Sequence, residues 1–379
     1  MSHHASSPGG RLSRWLSHDW PRSRWLAALL LLVVATLVLA PFVFSGVKAL
    51  NVAAKILVFV VLAASFDLLL GYTGIVSFAH TLFFGLGVYG VAMAMTHLGP
   101  TWEGLLAGVM GACLVSAALA WLIGLFSLRV RAIFFAMITL AVASAFQTLV
   151  SQWAEWTGGE DGLSFKVPPG LSSSVEWWEE PVLGVMIDGR LTCYYLLCTM
   201  TVLLVLALLR LVNSPFGRVL QAIRDNEFRA EALGYRVVTY RTLASVLSAL
   251  FATLAGVMLA VWLRYSGPET SLSFEIMMDV LLMVVIGGMG TLYGSVVGAT
   301  LFLVAQSYLQ DVLRVASEAT AGLPWLSAVL SPDRWLLWLG VLFVLSVYYF
   351  PTGVAGKLRA QAALRRGSVD RAESERGRA

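Results

Sequence analysis

The sequence is poor in charge. Its 379 residues include 26 Lys and Arg and 22 Asp and Glu, 13% in all, where a soluble domain carries about 25%. That shortage excludes a water-soluble two-domain enzyme, whose surface would need the missing charge. Cysteine is scarce too. Cys113, Cys193 and Cys198 sit in or beside apolar runs, with neither metal-ligand spacing nor the pattern of a secreted disulfide scaffold. Of five His, two stand at positions 3 and 4. The chain contains no HExxH, no G-x-S-x-G and no Gly-Lys-Ser/Thr to close a phosphate loop. No catalytic residue, metal or cofactor is therefore expected. An enzyme embedded in the membrane would need a nucleophile, base or ligand cluster near one face, and the sequence offers none.

Apolar residues, in contrast, make up 58% of the chain, and the mean hydropathy is +0.79. Runs such as Leu26–Phe44 are long and unbroken. They suit helices, which need ~20 apolar residues to span a bilayer, and not the ~10-residue alternating strands of an outer-membrane barrel. An all-α polytopic membrane protein is expected. Apolar runs fall at about 26–44, 50–70, 82–98, 104–127, 132–150, 191–212, 242–263, 276–289, 294–310 and 334–350, about ten, with the eighth and ninth short of a full crossing. The first is too long for the ~7–15-residue core of a signal peptide, so it reads as an uncleaved span.

Charge placement orients these spans. With both ends in the cytoplasm, the inside segments are 1–25, 71–81, 128–131, 213–241, 290–293 and 351–379. Counting the flanking Arg210, they hold 19 of the 26 basic residues, as the positive-inside rule requires. The 151–190 loop falls outside, with Lys166 and Arg190 against seven carboxylates; Lys48 is a small violation. The basic residues sit in short links between spans, which argues for a lipid bilayer as partner and against nucleic acid, despite a net charge of +4. The expected organisation is a basic N-terminus (1–25), a membrane-spanning domain (26–350) and a charged tail (351–379). Trp153 and Trp156 suit an interfacial aromatic belt, whereas Trp177 and Trp178 lie mid-loop, where an external partner is an alternative.

Three segments stand out. In Gly71–Gly90 the glycines Gly85, Gly87 and Gly90 spell G-x-G-x-x-G, but with no strand or βαβ unit around them they read as close-packing positions in a helix. Gly71 and Gly74 interrupt the chain after a span, with Thr73, Ser77 and His80 nearby, which suits either a broken helix lining a cavity or a tight turn. In Gly287–Gly298, Gly290, Gly294 and Gly298 follow i, i+4, i+8 and are expected to line one helix face. The recurrence of a Gly turn before a span hints at an internal repeat. In Ser214–Gly234, Phe216, Leu220 and Ile223 share one helical face while Arg218, Gln221 and Asp225 take another, and Gly234 suits a helix stop. That link is far longer than a hairpin between spans requires; docking a soluble protein is favoured over lying on headgroups. Lys55, Asp67 and Asp279 fall inside apolar runs, where ionisable groups commonly serve function. Snorkelling to the interface is the alternative for Lys55, capping a broken helix for Asp67 and simple contact with water for Asp279.

Phe66-Asp-Leu-Leu-Leu-Gly-Tyr-Thr-Gly-Ile-Val-Ser-Phe-Ala-His-Thr-Leu-Phe-Phe-Gly85 closely resembles the early signature of LivM-type permeases of branched-chain amino-acid ABC importers. Phe135–Ala141, Thr157–Leu163, Ser214–Gly234, Gly287–Gly298 and Phe350–Gly353 resemble the family's later blocks, in its order, over about residues 48–358. The resemblance implies a subunit of the bacterial inner membrane, with ATP hydrolysed elsewhere. Its implied partners are a LivH-like sister permease, two cytoplasmic ATPases of LivG and LivF type, and a periplasmic binding protein. It implies ATPase coupling through Gly217, Arg218, Ala222, Arg224, Asp225, Asn226, Glu231, Ala232 and Gly234. Here Leu233 stands where the family's Glu-Ala-Ala pattern has its second Ala, and the spacing to Gly is shortened. A substrate pathway is expected at Asp67, Gly71, Thr73, Gly74, Ser77, Phe78, His80, Phe83 and Phe84. Urea, amide and aromatic-acid importers use similar permeases and stand as alternative substrate classes. A self-sufficient channel is the alternative outside the importer class.

Overall fold

The computed structural model describes residues 24–43, 46–127, 132–172, 175, 188–320, 327, 329–350 and 352–358. Most of the basic N-terminus, Arg129 and Arg131, Trp177 and Trp178, and the tail beyond 358 lie outside the described residues. Every apolar run becomes a helix. The first five are α1 (Arg24–Val43), α2 (Val47–Thr73), α3 (His80–His97), α4 (Trp102–Ser127) and α5 (Ala132–Gln152), followed by the short α6 (Ala154–Thr157). After strand β1 (Leu163–Ser164) come α7 (Gly189–Val212), α8 (Pro215–Asp225), α9 (Glu227–Ala232) and α10 (Val237–Leu263). Strand β2 (Tyr265–Ser266), α11 (Pro268–Ser271), α12 (Phe274–Gly287), α13 (Leu292–Ala319) and α14 (Trp335–Tyr349) follow, with short 3-10 turns at Pro169–Leu171 and Pro332–Arg334 and a helical stretch at 353–358.

Nine helical stretches among the described residues are long and apolar enough to cross a membrane, one fewer than the runs counted in the sequence. The one left out is α3, whose ends carry His80, Thr81, Thr96 and His97 and which is largely buried in protein. The expected end of the ninth run at 310 is also corrected. Its helix continues to Ala319, because Asp311, Arg314 and Glu318 extend helical turns beyond the apolar stretch. The eighth is corrected too: α12 alone has 14 residues, but with α11 ahead of it the stretch Pro268–Gly287 reaches 20 residues and is one of the nine.

Helix α2 is the axis of the molecule. From Val52 to Leu69 every residue but Lys55 is buried, packed by α10, α13, α7 and α12. Apolar surface drives little helix association in lipid, so close backbone contact must do so. Helices α3 and α10 make that contact: a Cβ on Gly87 would meet the Thr253 carbonyl, and one on Gly256 the Phe84 carbonyl. The outer helices expose mostly the apolar chemistry that acyl chains accept, for example Leu32 on α1, Leu114 on α4, Met137 on α5 and Leu337 on α14.

Two short strands are the exception to the helical expectation. β1 pairs antiparallel with β2, Leu163 opposite Ser266 and Ser164 opposite Tyr265. The Thr157–Leu163 block feeds this pair through left-handed turns at Gly158, Gly159 and Gly162. Tyr265 donates to the Asp161 carbonyl at 3.0 Å and Arg264 to that of Leu171 at 2.9 Å. Trp153 and Trp156 stay about half exposed at this end, as an interfacial belt requires.

Candidate functional site

At the opposite end, three segments distant in sequence converge. Helix α2 runs without interruption through Gly71 to Thr73, whose hydroxyl donates to the Leu69 carbonyl at 2.6 Å. The expected break at Gly71 is therefore corrected. The helix stops at Gly74, which adopts a left-handed φ of 72° and returns its N–H to Leu69, a conformation that glycine reaches without the Cβ penalty. Gly71 matters for space instead. A Cβ there would collide with the Asp67 carboxylate and the Gly290 backbone.

Asp67 is fully buried. Its Oδ1 accepts the Gly290 N–H at 2.8 Å, bolting α2 to the turn that precedes α13. From α8, the Arg224 guanidinium donates to the Gly71 carbonyl and lies close enough to attract the Asp67 charge. Arg224 itself is exposed, so the enclosed Asp67–Gly290 bond fixes α2 to the turn, and Arg224 adds the link from α8.

Gly290 does not belong to the expected glycine face. It precedes α13, in a turn with a φ of 77°, because the helix begins only after Thr291, whose hydroxyl accepts the Gly294 N–H at 3.2 Å. Gly294 and Gly298 do form the packing face. A Cβ on Gly287 would strike the Gly294 carbonyl, and one on Gly298 would strike that of Met283.

The residues after the turn pack inward. Thr73, Ser77, His80, Phe83 and Phe84 are all at most 3% exposed. His80 Nε2 lies 2.8 Å from Ser65 Oγ, its ring edge-on to Phe66 at 5.3 Å. Phe84 meets Phe59 with ring centroids 6.0 Å apart. Gly74 is exposed, and Phe78 is half-buried against Phe274. In this conformation most of the segment fills the core, and of the expected pathway residues only Gly74 and Phe78 retain surface that a solute can touch. Asp67 likewise faces protein, not a cavity.

The long link forms two helices, α8 and α9. Ser214 caps α8 by accepting the Gly217 N–H at 3.3 Å, and Gly217 lies against the Val212 carbonyl, where a Cβ would collide. Leu220 and Ile223 are buried and Phe216 stacks on Tyr240 at 5.7 Å, so the apolar face is the one the periodicity marks. Asn226 breaks the helix and caps α9, accepting the Arg229 N–H at 2.9 Å. Gly234, with a φ of 92°, ends it. Arg218, Ala222, Asp225, Asn226, Glu231 and Ala232 are exposed. Sequence reasoning missed Phe228 and Leu233, 86% and 72% exposed. The only signal for them was an apolar residue inside a charged stretch. Glu227 pairs with Arg241 at 2.8 Å, tying this protruding pair of helices to α10.

The comparisons with known proteins cover most of the chain. A family profile described as the permease component of branched-chain amino acid transport systems matches residues 48–347. A protein of Salmonella typhimurium named high-affinity branched-chain amino acid transport system permease LivM is 29% identical over 91% of this chain and 77% of its own length. Its Escherichia coli counterpart is 28% identical over the same shares. A Salmonella typhimurium permease named LivH is 22% identical over 79% of this chain and 91% of its own. No solved structure matches.

Proposed function

The chain belongs to the family of branched-chain amino acid transport permease components, and from that premise we propose that it is the LivM-type permease subunit of a bacterial ABC importer for branched-chain amino acids. The observation that carries this reading is the reach of the family match, from the start of α2 into α14, including both glycine turns and the α8–α9 link. In this reading a LivH-like permease supplies the other half of the pathway. ATP is hydrolysed by separate LivG- and LivF-type subunits on the cytoplasmic side, and a periplasmic protein delivers the substrate. The charge bias puts α8–α9 in the cytoplasm and the β1–β2 end in the periplasm.

The junction then acts as a mechanical coupling. Exposed Phe228 and Leu233, with Arg218, Asp225 and Glu231 around them, form the surface for the ATPases. Movement of α8 acts through Arg224 on the Gly71 carbonyl, and Asp67 passes it to the turn before α13. Helix α2 is buried along most of its length and α13 packs on it over its first half, so a shift at the cytoplasmic end changes their spacing further along.

Complementation tests the function. In cells lacking their own copy, expression of this chain should restore energy-dependent uptake of labelled leucine, and an affinity tag on it should co-purify two ATPases and a second permease. Uptake of urea or an aromatic acid instead would reassign the substrate. Flux through the purified chain alone, without ATP, would replace the importer reading with a channel.

A further inference from the structure

Lys55 is the one residue not buried between Val52 and Leu69 of α2. It stands about 10 Å along the helix from Lys48, at 1.5 Å per residue, while Lys48 pairs with Asp311 of α13 nearer the helix start. Lys55 opens into a half-open cavity of about 410 Å³, lined by α2, the end of α10, β2, α11, α12 and α13. Among the described residues it has no ion-pair partner. Asp279 on α12 lines the same cavity, half-buried, accepting the Gln306 side-chain amide of α13 at 3.1 Å. That bond occupies one carboxylate oxygen. Glu269 adds a second carboxylate, on the side towards β2, and the walls between these groups are apolar: Phe59, Ile276 and Leu303.

This combination is out of place on a lipid-facing surface. Ionisable groups within spans face the bundle interior or a water-filled space, because lipid cannot solvate them. The outer helices α1 and α5 obey that rule, with no charged residue on their described faces between Trp25 and Val43 or between Ile133 and Gln152, so the α2–α12–α13 side faces something polar. The cavity holds one cation, two carboxylates and an apolar wall, within the volume range of small-molecule sites.

We infer that this cavity is a transient site for an α-amino acid zwitterion with an apolar side chain, on the route from the periplasmic end. Lys55 holds the substrate carboxylate, Asp279 and Glu269 take its ammonium group, and Phe59, Ile276 and Leu303 meet the side chain. The inference rests on the importer reading and deepens it. It moves the contact with substrate from the Gly71–Phe84 segment to the far end of α2. It also links transport to coupling, since α2 carries both Lys55 and the Arg224-bound Gly71, and α13 carries Gln306 beyond the turn held by Asp67.

Two measurements in complemented cells test it. Leucine uptake, normalised to the amount of this chain in the membrane, should fall about tenfold in Lys55→Met and in Asp279→Asn, the loss expected when one hydrogen bond to a charged group is removed. In the second, Lys55→Cys in intact cells should react with an anionic thiosulfonate reagent above the level of the wild type, whose Cys193 and Cys198 are buried, and excess leucine should slow that reaction. Normal uptake in both charge variants, or no reaction at Lys55→Cys, would overturn the site while leaving the importer reading intact. Failure of the wild-type chain itself to restore amino-acid uptake would overturn the importer reading on which the site depends.

Discussion

Two aspartates lie within apolar spans of this protein, and their surroundings are opposite. Asp67 has no exposed surface and is fixed by the Gly290 N–H, with Arg224 beside it. Asp279 is half-buried, shares one oxygen with Gln306 and borders a 410 Å³ cavity with Lys55 across it. In the sequence the two look alike, each a single carboxylate in an apolar run. Asp67 keeps one oxygen without a hydrogen-bond partner as well, so the difference lies in access: a carboxylate enclosed on all sides serves architecture, while one beside open space can serve a ligand.

Substitutions at the two ends should separate these roles, beginning with the largest effect. Phe84→Ala empties a fully buried site in the locked region. It should cost about 3–5 kcal/mol, read as a lower unfolding temperature in detergent, with the leucine-to-valine uptake ratio of the surviving protein unchanged. A changed ratio with normal stability would restore Phe84 to the pathway. Next, Gly71→Val forces a branched side chain into the Asp67 and Gly290 backbone contact and should cost about 3 kcal/mol; wild-type stability would show that the junction is looser than its geometry indicates.

Arg224→Ala cuts only the link from α8. The chain should lose no more than about 1.5 kcal/mol of stability, and ATP hydrolysis by the assembled complex should continue without leucine uptake. Uptake in proportion to hydrolysis would remove Arg224 from the coupling route. The smallest structural effect is expected at the other aspartate. Asp279→Asn keeps a group able to pair with Gln306 and should change stability by less than about 0.5 kcal/mol. A large drop in unfolding temperature there would make Asp279 a second architectural carboxylate and erase the contrast with Asp67.

Several features could be read directly from the chain. Each apolar run became a helix, since hydrocarbon-length stretches without charge have few other folds. The apolar face of Ser214–Gly234 and the stop at Gly234 were also legible, because helical periodicity and a glycine's tolerance of left-handed angles are local properties. The two-helix form of that link was less so, as Asn226 acts as a cap only once α9 is in place.

What the sequence determined alone was class: a charge-poor, many-helix membrane protein with its family signature spread over the spans. Which helix is central, that Gly71 is helical while Gly74 turns, and that Gly290 receives Asp67 instead of packing in a helix were decided by tertiary structure. So was the separation of the two aspartates. The reason is physical. Composition and period report which environment a segment can enter, but a buried polar group is defined by its partners, and here those lie 223 residues away for Asp67 and 27 away for Asp279.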